Sequence, residues 1–197
     1  MADIPVRATD RRTLRTVAAL ESAVREAVRE VPLDDLTVAE ICRRADVGRP
    51  SFYTHYASIA ELVAEMLTAE IDEQLPIADV ESVEAQQIDA GIAENLAAAL
   101  ELVARDRELY RAAFSSASSG VLRSVLEDAI GTRVRNIIAI WQERGVVGDL
   151  DLAVAVPFAT GGITRALEAW AFDDDLDAVA RANAIRDQLP RWWPFSG

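Results

Sequence analysis

Side chains that could read DNA cluster in one short segment of this chain. Arg49, Ser51 and Thr54 follow one another within six residues and alternate with apolar neighbours, so a helix would carry them away from its buried side. An arginine fork matches the O6 and N7 acceptors of guanine, and hydroxyl groups bond to bases or phosphates. These residue types at this spacing therefore indicate contact with nucleic acid.

The chain offers little for catalysis or metal binding. It holds one histidine, His55, and one cysteine, Cys42, which can form neither an internal disulfide nor a four-ligand zinc site. It has no glycine-rich phosphate loop and no nucleophile elbow. The acidic runs at 34–35 and 173–175 fall at predicted helix ends, where capping explains them. We predict no catalytic residue, no metal, no cofactor and no enzymatic activity.

Charge is distributed unevenly along the chain. The net charge is −13 over 197 residues, which at first sight argues against a nucleic-acid partner because phosphate contacts need cations. Residues 1–56, however, hold 9 arginines and 9 acidic residues, so the whole negative charge falls on the remainder. A neutral head and an acidic body suggest a division of roles, although an acidic surface also favours solubility. The chain contains no lysine.

Apolar residues recur at helical spacing almost throughout, which predicts an all-α fold. A first helix over about 10–30 ends at Pro32, and Thr37 with Glu40 forms a capping box that opens a short helix. A second short helix, 49–56, carries Pro50 in its first turn, where proline is tolerated. A longer helix follows from Ser58. An acidic linker is predicted at 76–87, with further helices at 88–104, 106–114, 120–144, 152–172 and 176–189.

Two short helices joined by a tight turn match a helix-turn-helix, in which the second helix enters the major groove. The apolar positions fit a core shared by the two helices: Val38, Ile41, Ala45, Val47 and Phe52. On spacing alone, an ordinary helical hairpin within a bundle explains the segment equally well.

The residues themselves favour the helix-turn-helix. The stretch from Thr37 to Tyr56, TVAEICRRADVGRPSFYTHY, resembles the tetracycline-repressor (TetR) family. That family has a threonine-capped helix, a short turn that ends near a valine, and a recognition helix. The recognition helix closes in a five-residue pattern: an aromatic residue, a tyrosine, any residue, a histidine or arginine, and a second aromatic residue. The resemblance covers about residues 12–67. Two departures stand out, because Gly48 replaces a common serine cap and Ala57–Glu61 lacks the family's common lysine.

The resemblance implies a set of DNA contacts. Arg49, Pro50 and Ser51 would meet base edges, the Tyr53 hydroxyl a phosphate, and Thr54 and His55 the DNA backbone. Phe52 and Tyr56 would fill the core, with a half-buried Tyr53 as the alternative. The residues that would compensate for the missing lysine are Thr37, Arg43, Arg44, Arg7, Arg11 and Arg12. A solvated tail explains the last three arginines equally well.

The resemblance also implies two domains, a helix-turn-helix domain at 1–57 and a helical ligand-binding and dimerisation domain at 58–197. The last two long helices would form a four-helix bundle with a partner, and Gly161–Gly162 would permit close approach, a bend or a pocket wall being the alternatives. Candidate pocket residues, each equally explained as core, are Leu100, Leu109, Tyr110, Phe114, Leu126, Ile137, Trp141, Phe158 and Trp170. Carboxylates that would select a cationic ligand, if they are not simply on the surface, are Glu101, Glu127 and Glu168.

The resemblance as a whole predicts a homodimeric repressor that binds a palindromic operator and is released by a small, mostly apolar effector. No stretch is long and apolar enough for a membrane span or a signal peptide, so we expect a cytoplasmic protein. The aromatic run at 192–195 is expected to dock on the body or on a partner subunit. The alternative is a helical protein-interaction module without specific DNA binding.

Overall fold

The structure, a computed structural model, describes residues 6–74, 85–190 and 192–193, with side chains from residue 12 onward and, after the gap, from residue 92. All regular elements of this part of the chain are helical, which confirms the all-α prediction. The helices are α1 Val6–Ala27, α2 Val38–Arg44, α3 Arg49–His55, α4 Ile59–Gln74, α5 Ala85–Arg105, α6 Arg107–Ser115, α7 Ser119–Glu143, α8 Leu152–Phe172 and α9 Ala178–Arg186. A 3-10 turn, Leu33–Asp35, precedes α2.

The predicted helix boundaries agree with the structure to within a few residues, and those of α8 agree at both ends. Most of the predicted linker lies outside the described residues, but its last three positions, 85–87, already belong to α5. Alanine and glutamine are good helix formers, which explains why α5 begins three residues before the predicted end of the linker. None of the described helices is long and apolar enough to cross a membrane.

Packing divides the chain into two compact units. The first comprises Met1–Met66 with Ala112–Leu122, and the second comprises Leu67–Arg111 with Arg123–Gly197. In the first unit the fully buried side chains include Leu20 and Val24 of α1, Ile41 of α2, Phe52 of α3 and Leu62 of α4. Leu20 and Val24 are four residues apart on one face of α1, so the apolar pattern of that helix contributes to the core that holds α2 and α3.

The second unit is built around buried tryptophans. The indole N–H of Trp170, which is 1% exposed, donates to the Leu100 carbonyl at 2.9 Å. Trp193 lies edge-on to Trp141, with ring centroids 4.8 Å apart, and is itself buried. This contact confirms the predicted docking for Trp193, whereas Pro194 and Phe195 lie outside the described residues.

Close helix approach occurs at a different glycine from the pair singled out in the sequence. A Cβ added to Gly161 or Gly162 would meet nothing within 4 Å in the described chain, but one added to Gly131 would lie 3.5 Å from Oγ1 of Thr160. No close approach is therefore seen at Gly161–Gly162 within the described chain, and approach of a partner subunit there stays a prediction. Two adjacent glycines are conspicuous in a sequence, but only packing shows which glycine faces a neighbouring helix.

Candidate nucleic-acid interface

Thr37 starts α2 as the sequence predicts. Its backbone is extended, at φ −111° and ψ 149°, and its hydroxyl accepts a hydrogen bond from the Glu40 N–H at 3.2 Å. The second half of the predicted capping box is not formed, because the Glu40 carboxylate accepts hydrogen bonds from Arg43 and Arg44 at 2.7 to 3.0 Å. A carboxylate gains more from guanidinium groups one turn away than from a neutral N–H.

This carboxylate belongs to a network that ties α2 to the end of α1. Arg44 also donates to both carboxylate oxygens of Glu30, which lies three residues after the last residue of α1. The hydrogen bonds from Arg43, and then from Arg44, lower the pKa of Glu40 to about 2. The hydrogen bond from Arg44 likewise lowers the pKa of Glu30. The network therefore keeps both carboxylates charged and fixes α2 against the preceding segment.

Arg43 and Arg44, predicted to compensate for the missing lysine, are both held in this network. The Arg44 side chain is 20% exposed, whereas that of Arg43 is 70% exposed and reaches solvent. The spacing of three and four residues from Glu40 is the signal that could have revealed these pairs in the sequence. Their contribution to DNA binding, like that of Arg12, stays a prediction, and the side chains of Arg7 and Arg11 lie outside the described residues.

A tight turn at residues 45–48 sets the angle between α2 and α3. Asp46 adopts a left-handed conformation with φ 53°, which aspartate tolerates better than most residues, and the Val47 N–H donates to the Cys42 carbonyl at 2.9 Å. Gly48 caps α3 without a side-chain hydrogen bond, as its sequence position implies. Pro50 lies in the first turn of α3, where the missing N–H has no intrahelical partner to lose.

The predicted contact residues share the accessible side of α3. Arg49, Pro50, Tyr53 and Thr54 are exposed, while Ser51 and His55 are half-buried. The other predicted contact residue, Thr37, is exposed at the start of α2. The seven candidate residues are therefore presented by two consecutive short helices on one compact unit, an arrangement that suits insertion of α3 into a major groove.

The three aromatic residues Phe52, Tyr53 and Tyr56 differ in their exposure to solvent. Phe52 is fully buried and Tyr56 is 5% exposed, whereas Tyr53 is 59% exposed and lies edge-on to Phe52 at 5.4 Å. This confirms Phe52 and Tyr56 as core and excludes the half-buried alternative for Tyr53. Burial raises the pKa of Tyr56. The Tyr53 hydroxyl is held outward on a ring that packing restrains.

The side chains of Thr54 and Arg49 differ in whether their hydrogen-bonding groups already have partners within the chain. The Thr54 hydroxyl donates to the Pro50 carbonyl at 2.9 Å, which leaves its oxygen able to accept. Arg49 forms no hydrogen bond or ion pair within the described part of the chain. Its guanidinium therefore keeps its donors available for an outside acceptor.

One contact of this unit carries no signal in the sequence. The carboxylate oxygens of Asp34 accept hydrogen bonds from the Ala117 N–H at 2.9 and 3.1 Å, across 83 residues of chain. Leu33 beside it is buried. The turn between α6 and α7 is thereby fastened to the loop that leads into α2.

The candidate pocket residues are mostly interior. The buried ones are Leu100, Leu109, Tyr110, Phe114, Leu126, Trp141 and Trp170. Ile137 is half-buried, and Phe158 is 67% exposed. Phe158 stands four residues from the equally outward Val154, on the accessible stripe of α8. Burial fits a core role and a pocket role alike, so the pocket assignment stays a prediction.

Glu168, weighed as a selector of cations, already has cationic partners. It is 8% exposed, accepts two hydrogen bonds from Arg123 at 2.9 and 2.7 Å, and is also bonded by Arg165. These hydrogen bonds, that from Arg123 first, lower its pKa. Glu101 and Glu127 are exposed. In the free chain the Glu168 carboxylate is thus satisfied from within.

Among the described residues no group of three or more histidine, cysteine or acidic side chains could hold a metal ion. Cys42 is a free, buried cysteine. Burial raises the pKa of its thiol, so the thiolate that reactive cysteines require is disfavoured.

Comparison with known proteins connects this geometry to a family. Residues 20–66 match the family model described as bacterial regulatory proteins, tetR family. The match spans the end of α1, all of α2 and α3, and the first half of α4. A search of curated protein sequences finds no match to this chain.

Solved structures share the fold along nearly the whole chain. The dihydroxyacetone kinase operon activator DhaS has a TM-score of 0.64 at 12% identity, over 88% of this chain and 93% of that one. RolR, solved with resorcinol, has 0.62 at 20% identity over 89% and 88%. NalD of Pseudomonas aeruginosa, the secondary repressor of the MexAB-OprM multidrug efflux pump, has 0.62 at 16% identity over 92% and 98%. At these identities the likeness concerns the fold.

Proposed function

Because residues 20–66 match the family model described as bacterial regulatory proteins, tetR family, we propose that this chain is a member of that family and a ligand-responsive transcriptional repressor that binds a palindromic operator as a homodimer. The observation that carries the proposal is the accessible side of α3, where Arg49, Pro50, Tyr53 and Thr54 are exposed above a buried Phe52. An enzyme would need a reactive centre, whereas a DNA reader needs this pattern of donors on a rigid helix.

In this proposal α3 lies in the major groove and its first turn reads sequence. Arg49 donates to the O6 and N7 acceptors of a guanine, and Pro50 and Ser51 contact neighbouring base edges. The Tyr53 hydroxyl donates to a phosphate, while Thr54 and His55 contact the backbone beside it. Thr37 contacts the backbone from the start of α2. Phosphate contacts set the register of the helix on the duplex, and base contacts provide the specificity.

Homodimerisation supplies the second half of the operator. A single short helix reads only a few base pairs, and two recognition helices about 34 Å apart read successive major grooves on one side of the duplex. We assign DNA binding to residues 1–57 and ligand binding and dimerisation to residues 58–197. The proposal places the protein in the cytoplasm with the DNA.

The effector is proposed to be small and mostly apolar, bound among the aromatic and aliphatic side chains of the body. It would favour a dimer in which α4 is displaced, so that the two copies of α3 no longer match the spacing of the half-sites. Since α4 continues directly from the DNA-binding helices, a shift of α4 changes their position. A ligand can act in this way only through different affinities for the two arrangements.

The central experiment is a mobility-shift titration with the DNA that flanks the protein's own gene. We expect sequence-specific retention that Arg49→Ala and Tyr53→Phe each weaken about tenfold or more, because each removes a direct DNA contact. Arg105→Ala is the matched control, since it removes one exposed arginine from α5 in the second unit and changes the net charge equally. Binding unaffected by both α3 substitutions would contradict the residue assignment.

The same titration separates the proposal from its alternative. A helical protein-interaction module would show no preference for any DNA sequence. We also expect weak binding to non-specific DNA with a shallow salt dependence, because residues 1–56 carry no net positive charge. A steep salt slope for non-specific DNA would contradict that expectation.

Operator affinity measured with and without candidate effectors tests the response to ligand. Small aromatic compounds, resorcinol among them, are reasonable first probes because the second unit buries aromatic side chains. A compound that lowers operator affinity and raises the melting temperature would support the proposal. An operator affinity that no class of compound changes would identify a constitutive DNA binder.

A further inference from the structure

A carboxylate of α2 holds the more exposed of the two arginines on that helix. Oε2 of Glu40 accepts a hydrogen bond from Nε of Arg43 at 3.0 Å, and Oε1 accepts one from Nη2 of Arg43 at 2.7 Å. Two such bonds form the bidentate pair that is strongest between an arginine and a carboxylate. The Arg43 side chain is 70% exposed, so its guanidinium group lies at the surface although it is already paired.

The charges around this pair cancel. Nε of Arg44 donates to Glu40 at 2.7 Å, and the two terminal nitrogens of Arg44 donate to the carboxylate of Glu30. Two guanidinium groups thus face two carboxylates. The first helix of a helix-turn-helix crosses the DNA backbone, so in the proposed complex α2 approaches the phosphates with both of its arginines already paired.

Glu40 and Glu30 differ in which arginine each one restrains. Without Glu30, Arg44 keeps its hydrogen bond to Glu40, and the pair of Arg43 with Glu40 is unchanged. Without Glu40, Arg44 keeps its bonds to Glu30, whereas the guanidinium group of Arg43 loses the two hydrogen bonds that hold it. Glu40 alone therefore decides whether α2 offers an exposed guanidinium group to an outside anion.

An added cation on α2 would favour non-specific DNA more than an operator. Non-specific binding comes almost entirely from phosphate contacts and the release of counterions, and such a complex can slide to any position that brings a cation to a phosphate. In a specific complex the base contacts select one position on the duplex. The cation then gains a contact only where a phosphate happens to lie within its reach.

We propose that Glu40 is a specificity-determining residue, which withholds the guanidinium group of Arg43 from phosphates and so keeps the affinity for non-specific DNA low. A phosphate that takes Arg43 from Glu40 leaves a carboxylate beside the DNA with one partner fewer, so the exchange gains little. Low affinity for the many competing sites of a genome raises the share of the protein that stands on its operator. The inference rests on the proposed function, because it concerns how that function discriminates between DNA sequences.

Glu40→Gln tests this assignment, because it removes the charge but keeps the size of the side chain and the backbone N–H that donates to the Thr37 hydroxyl. On a duplex of unrelated sequence the freed guanidinium group should neutralise one more phosphate. We therefore expect the slope of log affinity against log salt to steepen by about 0.9, and the affinity at about 100 mM salt to rise about fivefold. Operator affinity should rise less than about twofold, because the base contacts fix the position of α2.

Two controls separate the release of Arg43 from a change in net charge. Glu30→Gln changes the charge of the same unit equally but leaves Arg43 paired, so affinity for the unrelated duplex should change less than about twofold. Glu40→Gln in an Arg43→Ala background should also change it less than about twofold, since no guanidinium group is released.

Fluorescence anisotropy of labelled duplexes between about 50 and 200 mM salt gives the affinities and slopes, and circular dichroism checks that each variant is folded. An unchanged slope in Glu40→Gln, or an equal gain in either control, overturns the assignment and leaves the proposed function standing. Equal gains on operator and unrelated DNA overturn the role in specificity in the same way. An unaltered protein that binds the DNA flanking its gene no better than the unrelated duplex overturns the proposed function and this inference together.

Discussion

Arg49, the one arginine of α3, and three arginines of the second unit have opposite surroundings. Arg49 is exposed and makes no hydrogen bond or ion pair within the described chain. In the second unit Arg111 donates to the Ala171 carbonyl at 2.6 Å, Arg107 to the Asp173 carbonyl at 2.7 Å, and Arg123 to the Glu168 carboxylate at 2.7 and 2.9 Å. The same side chain is therefore available to an outside acceptor in one region and contributes to internal cohesion in the other.

The difference teaches how a chain with a net charge of −13 can still leave an unpaired guanidinium group on its surface. In the second unit Arg123 is paired with a carboxylate, and Arg107 and Arg111 donate to open carbonyls at the end of α8. Arg43 and Arg44 of α2 are held in the same way, by Glu40 and Glu30. Arg49 forms no such ion pair, because the first turn of α3 contains no acidic residue. Substitutions in the two regions should accordingly change different observables.

The largest loss of stability is expected for Glu168→Gln. The variant removes the charge that Arg123 and Arg165 surround, and we expect the free energy of unfolding to fall by about 2 to 3 kcal/mol, since both arginines remain partly solvated. Urea titration measures it. Glu101→Gln on α5, an exposed carboxylate, is the control and should change little.

This prediction has a pH dependence of definite sign. The pKa of Glu168 is lowered in the folded protein, so its contribution is complete above its ordinary pKa of 4.5 and is lost as the pH falls below that value. The difference between the unaltered protein and Glu168→Gln should therefore shrink on acidification. A difference that grows below pH 4.5 would contradict the assignment.

Arg107→Ala should cost about 2 kcal/mol of unfolding free energy. Its guanidinium bonds to the carbonyl that follows α8 and stands 5.5 Å from the centre of the Trp170 ring, which combines a hydrogen bond with a cation–π contact. Arg105→Ala, an exposed neighbour, is the comparison. Equal losses from the two variants would show that charge alone, not these contacts, accounts for the effect.

Asp34→Ala should cost about 1 kcal/mol, because it removes a charged acceptor from the Ala117 N–H. The adjacent Asp35→Ala is the matched control, since both aspartates lie in the same exposed 3-10 turn. Thermal melts of the two variants provide the test. If Asp35→Ala lowers the melting temperature as much as Asp34→Ala does, helix capping rather than the contact with Ala117 explains the loss.

Arg49→Lys should have the smallest effect on stability and a clear effect on recognition. We expect the unfolding free energy to change by less than about 0.5 kcal/mol, as for most surface substitutions. Operator affinity should fall about tenfold, because an ammonium group cannot reproduce the two parallel hydrogen bonds of a guanidinium. Urea titration and mobility shift on the same preparation measure both. Unchanged affinity would remove Arg49 from the base-reading set.

The sequence predicted most of the fold and the candidate contact helix. Helical periodicity located α8 to the residue, and the spacing around Thr37 and Phe52 located α2 and α3, because caps, turns and amphipathic faces are local properties. The exposed side of α3 follows from the same periodicity. Its contact with DNA remains a proposal that rests on chemistry and on the family-model match at residues 20–66.

Contacts between distant segments could not be predicted in the same way. Nothing local to Asp34 indicates that it accepts a hydrogen bond from Ala117, and nothing local to Gly131 distinguishes it from Gly161 or Gly162. The pocket candidates show the same limit of local sequence. Phe158 is a large apolar residue of the kind usually found in a core, but it lies on the outward stripe of α8. The exposure of a side chain depends on which segments pack against it, and those segments can lie anywhere in the sequence.

The sequence by itself determined that Thr37 to Tyr56 forms two short helices, with Arg49, Tyr53 and Thr54 opposite an apolar core, because helix geometry fixes which residues share a side. The sequence also placed Glu40 within helical reach of Arg43 and Arg44. Only the tertiary structure decided that Arg44 is held a second time, by Glu30 after the end of α1, and that no carboxylate pairs with Arg49 within the described chain. Those outcomes depend on distances between side chains of different segments, which packing sets and local sequence does not.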